Sequence, residues 1–181
     1  MANDKKMDCV ILGLLSHESL TGYEIKKRMD TALKYFWRAS YGSIYPTLNK
    51  LEQDKMVSKY ETKENGRDKI IYTITESGRD NLKQWLKAPT VKNELRYETL
   101  LKLFFGSEIG PVETAAHIDI FENKAKVELP MLKTMVTNLE KIKDTEEAHL
   151  YYLLTAKFGV KVYEAYVEWC EEAKHILKEK E

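Results

Sequence analysis

Residues 39–54 read A-S-Y-G-S-I-Y-P-T-L-N-K-L-E-Q-D, the spacing of a short helix with one apolar stripe and one polar face. Gly42 supplies a permissive turn, and Ser43 is placed to cap by accepting a hydrogen bond from the amides that follow. Pro46 falls in the first turn, where a missing N–H matters little and a fixed φ helps. Ile44, Leu48 and Leu51 recur at helical spacing and face a core. Tyr45, Thr47, Asn49, Lys50 and Gln53 are left outward. A phenol, a hydroxyl, two amides and a cation suit phosphates and base edges, so the stretch reads as a recognition helix.

The flanking chain supports that reading. Residues 7–15 form a short apolar helix, followed by L-T-G-Y-E-I-K-K-R-M-D at 20–30. Thr21 and Glu24 have the spacing of a capping box. Behind them Ile25, Met29 and Leu33 make an inward stripe, with Lys26, Lys27 and Arg28 outward, suited to phosphate contact beside a recognition helix. Downstream, the period changes from helix to strand. Residues 57–62 and 69–75 read as two strands, the second with Ile70, Tyr72 and Ile74 on one face. Asn65-Gly66 between them is a strong hairpin signal. Helix, helix, recognition helix and hairpin in this order describe a winged helix-turn-helix, its wing tip bearing Lys63, Asn65, Arg67 and Lys69.

The second half has a different character. Thr75 caps a further helix that Pro89 ends, and the polar linker at 88–94 is the domain boundary. The expected domains are a winged helix-turn-helix over 1–88 and a helical dimerisation and effector domain over 94–181. Residues 95–105 are apolar around more than half the helix circumference and are expected to be buried. Gly110-Pro111 starts a long helix with the stripe Ile118, Phe121, Ala125, Leu132, Met135, Leu139 and Ile142, interrupted by Glu128 and kinked at Pro130. Residues 146–178 form another, with Tyr151, Leu154, Phe158, Val162, Tyr166 and Trp169 at helical spacing. Two such helices cannot cover both stripes on each other alone. A second copy of the chain is the economical solution, with Phe121, Leu132, Leu139, Tyr151, Leu154 and Phe158 at the seam. The fold class is therefore mainly α with a small β-hairpin.

Composition bounds the function. Lys plus Arg balances Asp plus Glu at 29 each, which disfavours a non-specific nucleic-acid coat but allows a site-specific reader. Residues 1–88 hold 16 basic and 12 acidic side chains, a net of +4 that leaves −4 for the remainder. Cys9 and Cys170 stand far apart in apolar contexts, as buried thiols of a reducing cytoplasm do. The apolar run after Lys5 and Lys6 is too short for a signal peptide, and no span suits a bilayer. A cytoplasmic protein is expected. Four dispersed histidines, no phosphate-cradling glycine loop, no G-x-S-x-G and no Cys–Zn spacing leave no catalytic, metal or cofactor site. Glu146-Glu147 opens a helix, where the dipole favours negative charge.

These landmarks carry a family resemblance. I-L-G-L-L at 11–15, L-T-G-Y-E-I at 20–25, F-W-R-A at 36–39, G-S-I-Y-P-T-L-N-K-L-E at 42–52, G-R-D-K-I-I-Y-T-I-T-E-S-G at 66–78 and Q-W-L at 84–86 are similar to the PadR family of bacterial transcriptional regulators. The C-terminal part, with L-L-K-L-F-F at 100–105, resembles the longer subfamily, whose C-terminal helices dimerise. The resemblance implies a homodimer that binds a palindromic operator, represses transcription and is released by a small aromatic effector of the phenolic-acid type. Carried over residue by residue, it implies DNA contact by Tyr23, Lys27, Ser43, Tyr45, Thr47, Asn49, Lys50, Lys63 and Arg67. The family usually has a glycine closing the turn into the first wing strand. This chain has D-K-M at 54–56, which puts Lys55 in a left-handed conformation at about 1 kcal/mol.

Eleven tyrosines and three tryptophans offer stacking faces and hydroxyls for a planar effector. Trp37, before the recognition helix, and Tyr97, past the linker, are the candidates. A ligand there would change the angle between two heads. The same aromatic residues also suit a core or a dimer seam. The competing function is a winged-helix module that docks a protein without binding DNA.

Overall fold

The computed structural model describes residues 2–35, 37, 41–64, 67–90 and 97–179. The chain divides into two compact units, Met1–Asn93 and Glu94–Glu181.

The first unit runs α1 (Ala2–Leu15), β1 (Leu20–Thr21), α2 (Gly22–Arg28), α3 (Ile44–Gln53), β2 (Val57–Glu64), β3 (Arg67–Ile74) and α4 (Glu76–Lys87). Its core is built from the apolar faces of α1, α2 and α3. Ile11, Leu12, Ile25, Leu48 and Leu51 are wholly inaccessible, with Leu15 and Ile44 almost so. The Thr21–Glu24 capping box forms as the spacing requires. Glu24 N–H donates to Thr21 Oγ1 at 3.2 Å, and Thr21 N–H donates to Glu24 Oε2 at 2.8 Å. Past Arg28 the helix widens into a π-helical turn, Met29–Leu33, in which Met29 is buried.

The hairpin expected from the sequence is present, with the register running from Val57↔Ile74 to Glu64↔Arg67. That register leaves two residues between the strands. They are Asn65 and Gly66, which lie outside the described residues. Two details differ from expectation. A third strand, β1, pairs with β3 through Leu20↔Tyr72 and Thr21↔Ile71, giving the order β1-β3-β2. Tyr72 and Ile74 are buried, but Ile70 is exposed, because the hairpin has by then run past the helical core.

The turn from α3 into β2 closes by a Schellman arrangement. Met56 N–H donates to Leu51 O at 2.8 Å and Lys55 N–H to Glu52 O at 2.9 Å. Lys55 takes φ +57°, as the missing glycine implied. Thr75 locks this turn from the far side. Its hydroxyl donates to Lys55 O at 2.8 Å and accepts from Gly78 N–H at 3.1 Å. Gly78 has no room for a side chain, since an added Cβ would lie 2.1 Å from the Met56 carbonyl oxygen.

The second unit comprises α5 (Glu98–Phe104), α6 (Pro111–Ile142) and α7 (Glu147–Lys178). Ion pairs step down one helix as they climb the other: Lys174–Asp119, Lys133–Glu164 and Lys157–Glu140, at 2.8–3.0 Å. The two long helices are therefore antiparallel. No described helix is long and apolar enough to cross a membrane.

Three expectations for this unit are corrected. The face of α7 turned to α6 is Leu153, Ala156, Gly159, Tyr163 and Cys170. Only the first half of the stripe read from the sequence lies on the other side, with Tyr151, Leu154 and Phe158 at 57–65 % exposure, while Tyr166 and Trp169 pack against Phe121 of α6. Leu132, expected at a seam between copies, is instead packed inside the chain. It is 1 % exposed, and a Cβ on Gly159 would meet its Cδ2 at 3.2 Å. Helix α5 is not buried in the chain either: Leu101 and Phe104 stand in solvent, as does Phe105 just beyond it.

A buried charge was also unforeseen. Glu122, 4 % exposed, takes a place on the inner face of α6. Lys174 from α7 donates to its Oε2 at 2.5 Å, and Lys126 lies 3.0 Å from Oε1. The Lys174 ammonium holds the Glu122 carboxyl below its ordinary range, against the opposing effect of burial. Both cysteines are free and buried, and desolvation pushes the Cys170 thiol up to about 11.

Candidate nucleic-acid interface

Helix α3 presents its outer face as its sequence arranges it. Ile44, Leu48 and Leu51 are sunk in the core, which leaves Tyr45 and Asn49 on an exposed flank and Thr47 half-buried on the other. Tyr45 is fixed by its neighbour in α2. An added Cβ at Gly22 would sit 2.7 Å from the Tyr45 ring, so Gly22 lets the phenol lie across the start of α2. Tyr23, the residue after Gly22, is 70 % exposed. Lys27 is exposed one turn further along α2. Arg28 is occupied, since its guanidinium donates to Glu18 Oε1 at 2.5 Å.

Two assignments on α3 change. Ser43 does not cap the helix through its side chain, because a 3-10 turn, Tyr41–Ser43, already leads into α3 and places Ser43 at φ −92°, ψ −10°. Its backbone is already helical, whereas a capping side chain needs an extended one. Lys50 is turned toward α1, where Nζ lies 2.6 Å from Asp8 Oδ2. On the opposite flank, Glu52 is paired with Lys59 of β2 at 2.9 Å.

On the wing, Lys63 is about four-fifths exposed and 3.8 Å from Asp68, a loose pair that phosphate would displace. Arg67 is placed by its backbone pairing with Glu64, and its side chain lies outside the described residues. Lys69, on β3, is close enough to the Glu24 carboxylate to help hold it ionised, with the Thr21 hydrogen bonds as the main cause.

The aromatic candidates sit in different units. Trp37 is half-buried, with its N–H bonded to Leu33 O at 2.8 Å and Lys6 Nζ 5.6 Å from its ring. Among the described residues, its indole N–H finds no acceptor. Tyr97 belongs to an aromatic cluster of the second unit. Its hydroxyl is hydrogen-bonded to that of Tyr166, and its ring meets Phe121 edge-on at 6.1 Å. Phe121 in turn packs against Tyr166 at 5.2 Å and Trp169 at 6.2 Å. Burial and the Tyr97 hydroxyl push the Tyr166 phenol far up. No group of three His, Cys, Asp or Glu among the described residues is placed to hold a metal ion.

Known proteins share this arrangement. Residues 11–84 match the model of the transcriptional regulator PadR-like family, and residues 95–178 match that of the virulence activator alpha C-terminal region. The chain is 28 % identical to the negative transcriptional regulator PadR of Bacillus subtilis, over 89 % of this chain and 91 % of that protein. The crystal structure of smu.1604c from Streptococcus mutans is similar at 32 % identity and a TM-score of 0.79, covering 91 % of this chain and 96 % of that one. Bacillus subtilis PadR in complex with operator DNA is similar at 27 % identity and a TM-score of 0.78, covering 94 % and 98 %. Matched across both units, and carrying a winged helix with an exposed polar recognition helix, the chain belongs to the PadR-like family of transcriptional regulators, DNA-binding proteins and not enzymes.

Proposed function

We propose that the protein is a cytoplasmic homodimeric repressor that reads a palindromic operator and leaves it when a small aromatic acid binds. The observation that carries this reading is the outer surface of α3. Tyr45 and Asn49 are exposed, while the apolar side of the same helix is buried. Its phenol and amide match base edges and phosphates. The similar Bacillus subtilis protein has been solved on operator DNA. The proposed contact set is Tyr23, Lys27, Ser43, Tyr45, Thr47, Asn49, Lys63 and Arg67.

Dimerisation is supported by the uncovered apolar residues of the second unit. Leu101, Phe104, Phe105, Tyr151, Leu154 and Phe158 are all more than half exposed in the single chain. They form two groups, Leu101, Phe104 and Phe105 toward the start of α6 and Tyr151, Leu154 and Phe158 toward its end, and large apolar side chains left to water in this way favour a partner surface. Phe121 and Leu139 are half-buried on α6. For the effector, the paired phenols of Tyr97 and Tyr166 beside Phe121 in the second unit offer hydrogen bonds and stacking to a planar acid, and Trp37, with its indole N–H, is a separate candidate in the first unit.

Mobility shift of the DNA upstream of the protein's own reading frame tests the reading. The expected result is a discrete complex that p-coumarate dissolves. Absence of any shift, together with salt-resistant capture of a protein partner, would instead make the head a protein-docking module.

A further inference from the structure

Helix α3 carries two charged side chains, Lys50 and Glu52, and both are committed inside the first unit. Lys50 reaches Asp8 of α1 at 2.6 Å, and Glu52 reaches Lys59 of β2 at 2.9 Å. The pairs lie on opposite flanks of the helix. Asp8 is the anchored partner, its side chain 15 % exposed against 48 % for Lys50. It sits in a recess lined by Cys9, Asp54, Met56, Asn81, Gln84 and Trp85. The remaining outer surface of α3 (Tyr45, Pro46, Thr47, Asn49 and Gln53) has no formal charge.

We infer that Asp8 is a positioning residue for DNA specificity: it draws Lys50 against α1, so that α3 meets the duplex as a neutral surface. Phosphate contact is then left to α2 and the wing. The physical consequence concerns discrimination more than affinity. Binding to arbitrary DNA comes almost wholly from cations that displace counterions, whereas base contacts add only on the right sequence. A lysine already neutralised by a carboxylate displaces no counterion. Holding it back lowers non-specific binding without touching the base-reading side chains. The inference rests on the proposed DNA reading, and it assigns a role to a residue of α1 that lies outside the contact set.

The test measures affinity for the operator and for an unrelated duplex across a salt series. Wild type, Lys50→Gln and Asp8→Asn are compared, with thermal melts to confirm folding. Lys50→Gln is expected to keep both salt slopes and the operator-to-unrelated ratio at wild-type values. Asp8→Asn is expected to steepen the slopes by up to roughly 0.9, one phosphate's worth, and to raise affinity for the unrelated duplex several-fold. A Lys50→Gln slope flatter by roughly 0.9 would make Lys50 a phosphate contact and overturn the inference. An Asp8→Asn protein with unchanged slopes would overturn it too. Should Asp8→Asn not fold, the Lys50→Gln slopes decide alone. Wild-type protein that binds neither duplex would instead remove the DNA reading, and the inference with it.

Discussion

Lys55 closes a Schellman turn at a position where most helices use glycine, and its φ of +57° is unfavourable for any residue with a Cβ. Lys55→Gly is expected to raise the unfolding free energy by up to about 1 kcal/mol, read from urea melts, with the greater freedom of glycine in the unfolded chain limiting the gain. The residues of the reading face divide differently. Asn49→Ala removes a side chain suited to a base edge, and is expected to relax preference at one base pair by about 1–3 kcal/mol while unrelated DNA binds as before. Lys63→Ala removes a cation of the proposed contact set, and is expected to weaken all sequences alike and flatten the salt slope by roughly 0.9. Titrations on operator and unrelated duplexes separate the two. Identical behaviour would contradict the assignment of α3 as the base reader. The strain at Lys55 was legible through the family resemblance, because D-K-M stands where the family usually has a glycine. The fate of Lys50 was not, since nothing along the chain brings Asp8 within 2.6 Å of it.

Elements differed in how openly they declared themselves. α3, the hairpin and the Thr21–Glu24 cap follow from local spacing, and the structure has them where the spacing puts them. α7 misled, because both of its faces are apolar. Its core face uses Ala156, Gly159 and Cys170, small side chains that give a weak periodic signal, while the larger Tyr151, Leu154 and Phe158 lie opposite. β1 is two residues long and has no pattern to read. Glu122 looks like an ordinary polar interruption until α7 supplies Lys174. That pair predicts a pH dependence. The folded-state carboxyl of Glu122 is lowered from 4.5, so its contribution is present above that value and lost as pH falls through the lower folded value. Lys174 is raised, so its share is present below 10.5 and lost only in strong alkali. Glu122→Gln is expected to cost about 2 kcal/mol at neutral pH, with the deficit shrinking on acidification, in urea melts at the two conditions. A deficit that is constant with pH would contradict the charge-based account.

At the scale of the molecule, the proposed dimer is what the exposed apolar side chains argue for. The second unit keeps Phe158 at 65 % exposure and Phe104 at 81 %, on elements otherwise well formed. Phe158→Glu touches no core residue and is expected to leave the chain folded. Sedimentation should then show monomers where the wild type gives dimers, and operator affinity should fall with the loss of the second head. A Phe158→Glu protein that remains dimeric would move the seam elsewhere. Two heads held together impose a geometric signature on DNA, because recognition helices of a two-fold dimer enter successive major grooves about one turn apart, roughly 34 Å. Hydroxyl-radical footprinting of the upstream DNA reads that signature directly. The account predicts two protected windows related by the palindrome, their centres roughly 10 bp apart. A single window, or uniform weak protection along the duplex, would contradict it.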